Sequence, residues 1–309
     1  MMIIMMMIVN YFLKDLIMKC RLTNYPLSKN LVYVALQMHR SMYMNDEFYL
    51  DPSDHHSQIA EPNCFVQSQT NWYPWLWSRV PQRTDETESG WELYFSDFKE
   101  PHITGDIIRD FFTCCDCVFQ PRRELVKDHE INVSKKILGC HFRRGDSNYS
   151  DFFAPKNRPV HEYLTYIKAH DPDEYCLYLA SDSIESVLEE IGDDLSQYDI
   201  HFSKYSQKVS KFLETLDTDV EQYTFNNQYE QIIYDVFVSG IVDTYNLSKS
   251  SAFIGPYTKS SFASFASCLA MHNHARDFYD ITSNTTQKYI KNYIIFDLEQ
   301  LLHYNPIRI

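Results

Sequence analysis

With 309 residues and 44% hydrophobic content, the chain is long enough for two ordinary domains or one large one and can bury a proper core, which excludes a disordered or fibrous protein. Its 42 acidic against 28 basic side chains give a net charge of −14, which repels nucleic acid and anionic membranes over most of the surface. No nucleic-acid partner is expected, and any phosphate ligand must be gripped by a few placed cations.

In chain order, residues 1–9 are apolar, but Asn10, Lys14 and Asp15 interrupt them, so this start is too short and broken to span a bilayer. It carries no basic n-region or small-residue cleavage site, and residues 1–17 are expected to be an extension ahead of Met18. Residues 22–62 read as loop, helix, strand: Pro26-Leu27-Ser28-Lys29-Asn30, then a helix over 31–44, then Phe48-Tyr49-Leu50-Asp51-Pro52. An aromatic segment with Trp72, Trp75, Trp77 and Trp91 follows, broken by Pro74 and Pro81. Core packing is the default for such tryptophans, although exposed faces also stack on sugar rings. Residues 102–130 are expected to be helical and to lead into a linker.

The second half alternates strands and helices in the manner of a parallel sheet. Strands are expected at 137–142, 176–180, 200–202 and 252–254, and helices at 161–168, 184–191, 229–248 and 261–271. Residues 203–227 are polar and read as a long loop.

Eight cysteines, three of them crowded as Cys114, Cys115 and Cys117, do not form a secreted disulfide pattern, and no second ligand pair accompanies the cluster. Reduced, buried thiols are expected and no metal site is assigned. Four N-x-S/T sequons stand at Asn132, Asn148, Asn246 and Asn284. A glycan at Asn148 or Asn246 would obstruct the stretches that carry the chemistry, which favours a compartment without N-glycosylation, the cytoplasm over the Golgi or ER lumen. Glycine is scarce, 7 residues where an average chain this long has roughly 20, so Gly145 and Gly255, both inside those stretches, are candidates for a backbone need.

The densest chemistry is Cys140-His141-Phe142-Arg143-Arg144-Gly145-Asp146, directly after the apolar run Ile137-Leu138. Guanidinium forks fit phosphate oxygens bidentately, and strand ends are where α/β sheets open their ligand crevice, so a nucleoside diphosphate is the natural ligand. The bland alternative is a surface Arg-Asp pair. Two further strand-end features follow: Ser181-Asp182-Ser183, and Asp243-Thr244-Tyr245-Asn246-Leu247-Ser248 with Ser260-Ser261-Phe262 beyond the next strand. Ser260 opens a small-residue helix whose N-terminus suits a phosphate.

In order and separation these three motifs resemble those of the GDP-fucose-dependent fucosyltransferases, especially the α1,6/nodulation-type group, with the α1,2- and protein O-fucosyltransferases as relatives. The similarity covers residues 137 to about 272. It implies an α/β glycosyltransferase of type B, with two Rossmann-like domains facing a cleft: an extension at 1–17, an acceptor-side domain at 18–130, a GDP-sugar domain at 131–290 and a C-terminal helix or tail at 291–309. The activity implied is metal-independent, inverting transfer of L-fucose from GDP-β-L-fucose to a glycan or protein hydroxyl, with no cofactor beyond the donor.

Residue by residue, the resemblance implies that Arg143 neutralises the leaving diphosphate, supported by Arg144 and the Ser260-Ser261 helix start. Asp243 accepts from guanine N1–H and its exocyclic amine. His141 either lines the same pocket or stands as a satisfied core histidine. Asp182 either meets the guanine or ribose edge or caps the helix near Ile184. Asp151, ten positions after His141, matches the group's general base, with Asp146 as its rival.

The chain departs from the pattern in three places. Residues 26–30 replace a glycine-rich loop, Ser183 replaces a second acid, and Ser147 replaces a lysine. Those departures keep open a GDP-sugar-binding pseudoenzyme. A metal-dependent type A glycosyltransferase using Asp217-Thr218-Asp219 is the other alternative.

Overall fold

The computed structural model describes residues 18–21, 31–32, 35–36, 38–39, 42, 48–51, 104–121, 123–144, 159–207, 238–256, 260–273, 275, 277–281 and 285–286. The chain divides into two compact units, Met1–Gln120 with Leu298–Ile309, and Pro121–Asp297.

In the first unit, β1 (Met18–Arg21) pairs in parallel with β2 (Phe48–Asp51), and the described positions between them, from Leu31 to Met42, are helical. A parallel pair needs a crossover, and that helix supplies it. β1 is not legible in the sequence: Met-Lys-Cys-Arg has no β-branched residue, and only its pairing with β2 makes it a strand. Helix α1 (Ile107–Val118) begins at Asp106, whose carboxylate accepts from the N–H groups of Ile108 and Arg109. Its buried stripe is Phe111, Cys114, Cys115 and Val118, the i, i+3, i+4, i+7 spacing of an amphipathic helix. Two of the crowded cysteines are therefore core residues, and burial pushes the Cys114 thiol well above its usual range. The expected single helix over 102–130 is two pieces, α1 and the short α2 (Arg123–Val126), because Pro121 lies between them.

The second unit is a mixed α/β layer structure around a six-stranded sheet. Its strands are β3 (Lys136–Phe142), β4 (Tyr175–Ser181), β5 (Ile200–Phe202), β6 (Ala252–Gly255), β7 (Asp277–Asp280) and β8 (Thr285–Thr286). They are ordered 5-4-3-6-7-8, the first five parallel and β8 antiparallel. β3 is buried from Ile137 to Phe142, as a strand covered on both faces must be.

One face packs Leu138, Cys140 and Phe142 with α3 (Val160–Ile167) and α4 (Ile184–Ile191). The opposite face packs Ile137, Tyr178 and Phe253 with the helical stretch 238–247 and α5 (Ser261–His272). Tight cover on that second face explains Gly139. A Cβ there would clash with Ser250 Oγ and lie 2.9 Å from Leu247 Cδ2. Gly139→Ala is expected to cost about 1–3 kcal/mol through overpacking, measured as a lower urea midpoint at unchanged slope; an unmoved midpoint would refute it.

The expected strands and the helices at 161–168, 184–191 and 261–271 fall within a residue or two of those observed. The helix expected over 229–248 is present at 238–247, its earlier part lying outside the described residues, and residues 204–207 of the expected loop are helical. β7 and β8 are absent from the reading of the sequence. β7 reads Asp-Phe-Tyr-Asp, too short and too acidic at its ends to announce itself. No helix among the described residues is long and apolar enough to cross a membrane.

Candidate functional site

The chain lays down β3, β4 and β5 outward in one direction, then returns to place β6 on the other side of β3. The segment leaving β3 runs to α3 on one face, and the segment leaving β6 runs to α5 on the other. Chains that part to opposite faces leave a crevice at the carboxyl ends of the two strands, the place where open α/β sheets bind ligands.

Register decides which residues rim that crevice. Phe142 pairs with Ser181, so Arg143 and Asp182 follow side by side, and Cys140 pairs with Ile254, so His141 is level with Gly255. Arg143, Asp182 and the Ser260 end of the third motif, scattered over more than a hundred residues of sequence, thereby come to one edge.

Arg143 and Arg144 do not act as a pair. Successive residues of a strand face opposite sides, and the two arginines continue that alternation. Arg144 Nη2 reaches Glu190 Oε2 on α4 at 2.7 Å, with its side chain only 16% exposed. Arg143 leaves on the His141 side and its Nη1 lies 3.4 Å from Asp182 Oδ2. Arg144 thus ties the strand end to α4, and Arg143 is the cation at the crevice among the described residues.

Asp182 is not the cap of α4: Ser183 occupies that position, and without a side-chain capping bond. Asp182 Oδ1 instead accepts the Arg144 backbone N–H at 2.9 Å, while Oδ2 faces the Arg143 guanidinium.

His141 lies beneath this rim, 5% exposed, with its ring 4.7 Å from that of Phe262 in the first turn of α5. Its Nδ1 is buried with no hydrogen-bond partner among the described residues. Among the described residues the ring is thus a core histidine with one nitrogen unmet. Burial, with Arg143 adding to it, lowers its pKa to about 3, so the ring is neutral. An unmet buried nitrogen costs about 1–3 kcal/mol, which calls for a reason beyond packing.

Ser260 caps α5: its Oγ accepts the Ala263 N–H at 3.3 Å. A hydroxyl that accepts in this way still has its own proton to donate, and the first N–H groups of a helix have no intrahelical acceptor. Gly255 brings β6 close to this turn, since a Cβ there would lie 2.9 Å from Phe253 Cε1 and 3.4 Å from Ala263 Cβ. Ser261 is the first residue of α5.

Asp243 is set apart from these groups. It is 4% exposed and sits on the helical stretch 238–247, with Oδ1 taking the Tyr178 hydroxyl at 2.6 Å and Oδ2 the Ser206 hydroxyl at 2.8 Å. Ser239 Oγ approaches the same Oδ2 at 3.4 Å. Tyr178 pairs with Gly139, three residues short of the end of β3, or roughly 10 Å below the rim at strand rise. Burial raises the Asp243 pKa to about 7 against the lowering effect of the three hydroxyl donors.

Asn246 extends this network. Its Nδ2 donates to the His129 carbonyl at 3.0 Å and to Tyr178 Oη at 3.3 Å, and its Oδ1 accepts the Ile131 N–H at 3.2 Å. Fully buried and bonded at both ends, the Asn246 sequon cannot carry a glycan in the folded chain. Tyr178, Ser206, Ser239 and Glu190 were beyond sequence reasoning, because nothing local separates them from ordinary strand, loop and helix residues. Asp146, Asp151, Asp217, Asp219, Asn148, Asn284, the 26–30 loop and the tryptophan segment lie outside the described residues.

Two solved structures are similar to this chain. One is NodZ alpha-1,6-fucosyltransferase soaked with GDP-fucose, 12% identical over 88% of this chain and 97% of that one, with a TM-score of 0.44. The other is NodZ alpha-1,6-fucosyltransferase co-crystallised with GDP, 12% identical over 81% and 90%, with a TM-score of 0.40. No family model matches the sequence, and no curated protein does.

Proposed function

We propose that the chain is a glycosyltransferase that takes L-fucose from GDP-β-L-fucose to a hydroxyl of a glycan or protein, with inversion and without a metal. The observation that carries this reading is the meeting of Arg143, the Ser260-capped start of α5 and the unpartnered His141 at the reversal of strand order. A diphosphate seated there would meet a guanidinium fork, a hydroxyl proton and the positive end of a twelve-residue helix. Those groups stabilise the charge that develops on GDP as the glycosidic bond breaks. Asp151, with Asp146 as rival, is proposed to take the acceptor proton. Residues 18–130 are proposed as the acceptor side and 131–290 as the donor side of a type B architecture, with 1–17 and 291–309 as flanking segments and the cytoplasm as the compartment.

A second reading has an observation of its own. Both oxygens of Asp243 are occupied by hydroxyls, so guanine held there by two bonds must displace Tyr178 from Oδ1 and Ser206 and Ser239 from Oδ2. If those bonds persist, the chain is a nucleotide-binding pseudoenzyme with Asp243 as a core anchor.

The test is calorimetric titration with GDP, with UDP as control and EDTA present, followed by an assay for GDP-fucose turnover. GDP-selective binding with turnover is expected. Binding of GDP and UDP alike, without turnover, would favour the pseudoenzyme; loss of activity in EDTA would move the chemistry to a metal-dependent site; no binding would overturn the nucleotide reading.

A further inference from the structure

We propose that Asp182 is a positioning residue, holding Arg143 for the diphosphate through one carboxylate oxygen and the backbone at Arg144 through the other. This rests on the reading of Arg143 as the phosphate cation. An arginine one residue beyond a strand end has long side-chain freedom, and a site that grips an anion gains affinity when that freedom is removed beforehand. The strand register supplies the means. β3 and β4 end level, so the first residue after each lies beside its neighbour: Arg143 beside Asp182. Asp182 Oδ1 accepts the Arg144 N–H at 2.9 Å, which fixes the backbone where the arginines part to opposite faces. Asp182 Oδ2 faces Arg143 Nη1 at 3.4 Å, and the two side chains are 24% and 28% exposed. Arg144 in turn is braced on Glu190, so the strand end is held from both faces of the sheet.

The two oxygens have separable roles. Asp182→Asn keeps an acceptor for the Arg144 N–H but removes the charge facing Arg143; Asp182→Ala removes both. The experiment titrates wild type, both variants and Arg143→Ala with GDP and with inorganic pyrophosphate, alongside thermal unfolding. Asp182→Asn is expected to keep the wild-type melting temperature and weaken GDP and pyrophosphate by the same factor, about twofold to fivefold for a partly exposed ion pair. Asp182→Ala is expected to melt earlier as well.

Three results would overturn the role. Unchanged affinity in Asp182→Asn means the charge does nothing. Weaker GDP with unchanged pyrophosphate means Asp182 touches the nucleoside itself. A melting temperature that falls equally in Asn and Ala means it serves stability alone. Failure of the underlying reading looks different: wild type would not bind pyrophosphate, or Arg143→Ala would bind GDP unchanged, and this role would fall with it.

Discussion

Arg143→Ala is expected to weaken GDP binding about 30-fold to 4,000-fold, because truncating one partner of a hydrogen-bonded charge pair costs roughly 2–5 kcal/mol. The fold should barely notice. The Arg143 side chain is 28% exposed at the rim, beyond the last core residue, Phe142, and substitutions at such places usually stay within about 0.5 kcal/mol. Arg144→Ala provides the contrast. Its guanidinium faces Glu190 on the other side of the sheet, so binding should change far less than in Arg143→Ala. Calorimetry and thermal unfolding of the two variants decide the matter. Equal losses of affinity would mean that the alternation of faces does not govern this strand end.

The second large effect is on the pH dependence of stability. Asp243 has its pKa raised from 3.8 to about 7, so the native state keeps a proton that the unfolded chain releases. Its contribution is complete below about pH 3.8 and is lost as pH rises to about 7. His141 has its pKa lowered from 6.5 to about 3, so the unfolded chain takes a proton that the native state refuses. Its contribution is complete above about pH 6.5 and is lost as pH falls toward 3.

Between about pH 4 and 6.5 the two slopes, each up to about 1.4 kcal/mol per pH unit, oppose and largely cancel. Removing either group unmasks the other. Asp243→Asn is expected to lose stability, relative to wild type, as pH is lowered from 6.5 to 4. His141→Gln is expected to lose it as pH is raised from 4 to 7. Every other titrating group is common to variant and parent, so the difference in unfolding free energy across pH isolates the two. Parallel profiles for wild type and Asp243→Asn would show that the carboxyl is not held protonated in the fold.

Much of the second unit was legible because its signals are local. Ile137-Leu138 and Cys176 to Ala180 are apolar runs of strand length, Ile184 to Ile191 has helical spacing, and Ser260 precedes a helix it can cap. Those patterns follow from side-chain direction along a single element, which the sequence specifies by itself. They suffice for a parallel α/β unit with cations at strand ends.

What the tertiary structure alone decided is where those ends meet and which way each side chain faces. The strand order brings the exits of β3 and β6 together, and the level ends of β3 and β4 set Asp182 against Arg143. The pleat sends Arg144 to Glu190, and the packing of 238–247 buries Asp243 among Tyr178, Ser206 and Ser239. Apart from Ser239, which lies one helical turn before Asp243, none of these pairings is local. The others join residues tens of positions apart, and hydrogen-bond partnership at that range depends on register and layer packing, which one-dimensional spacing does not encode.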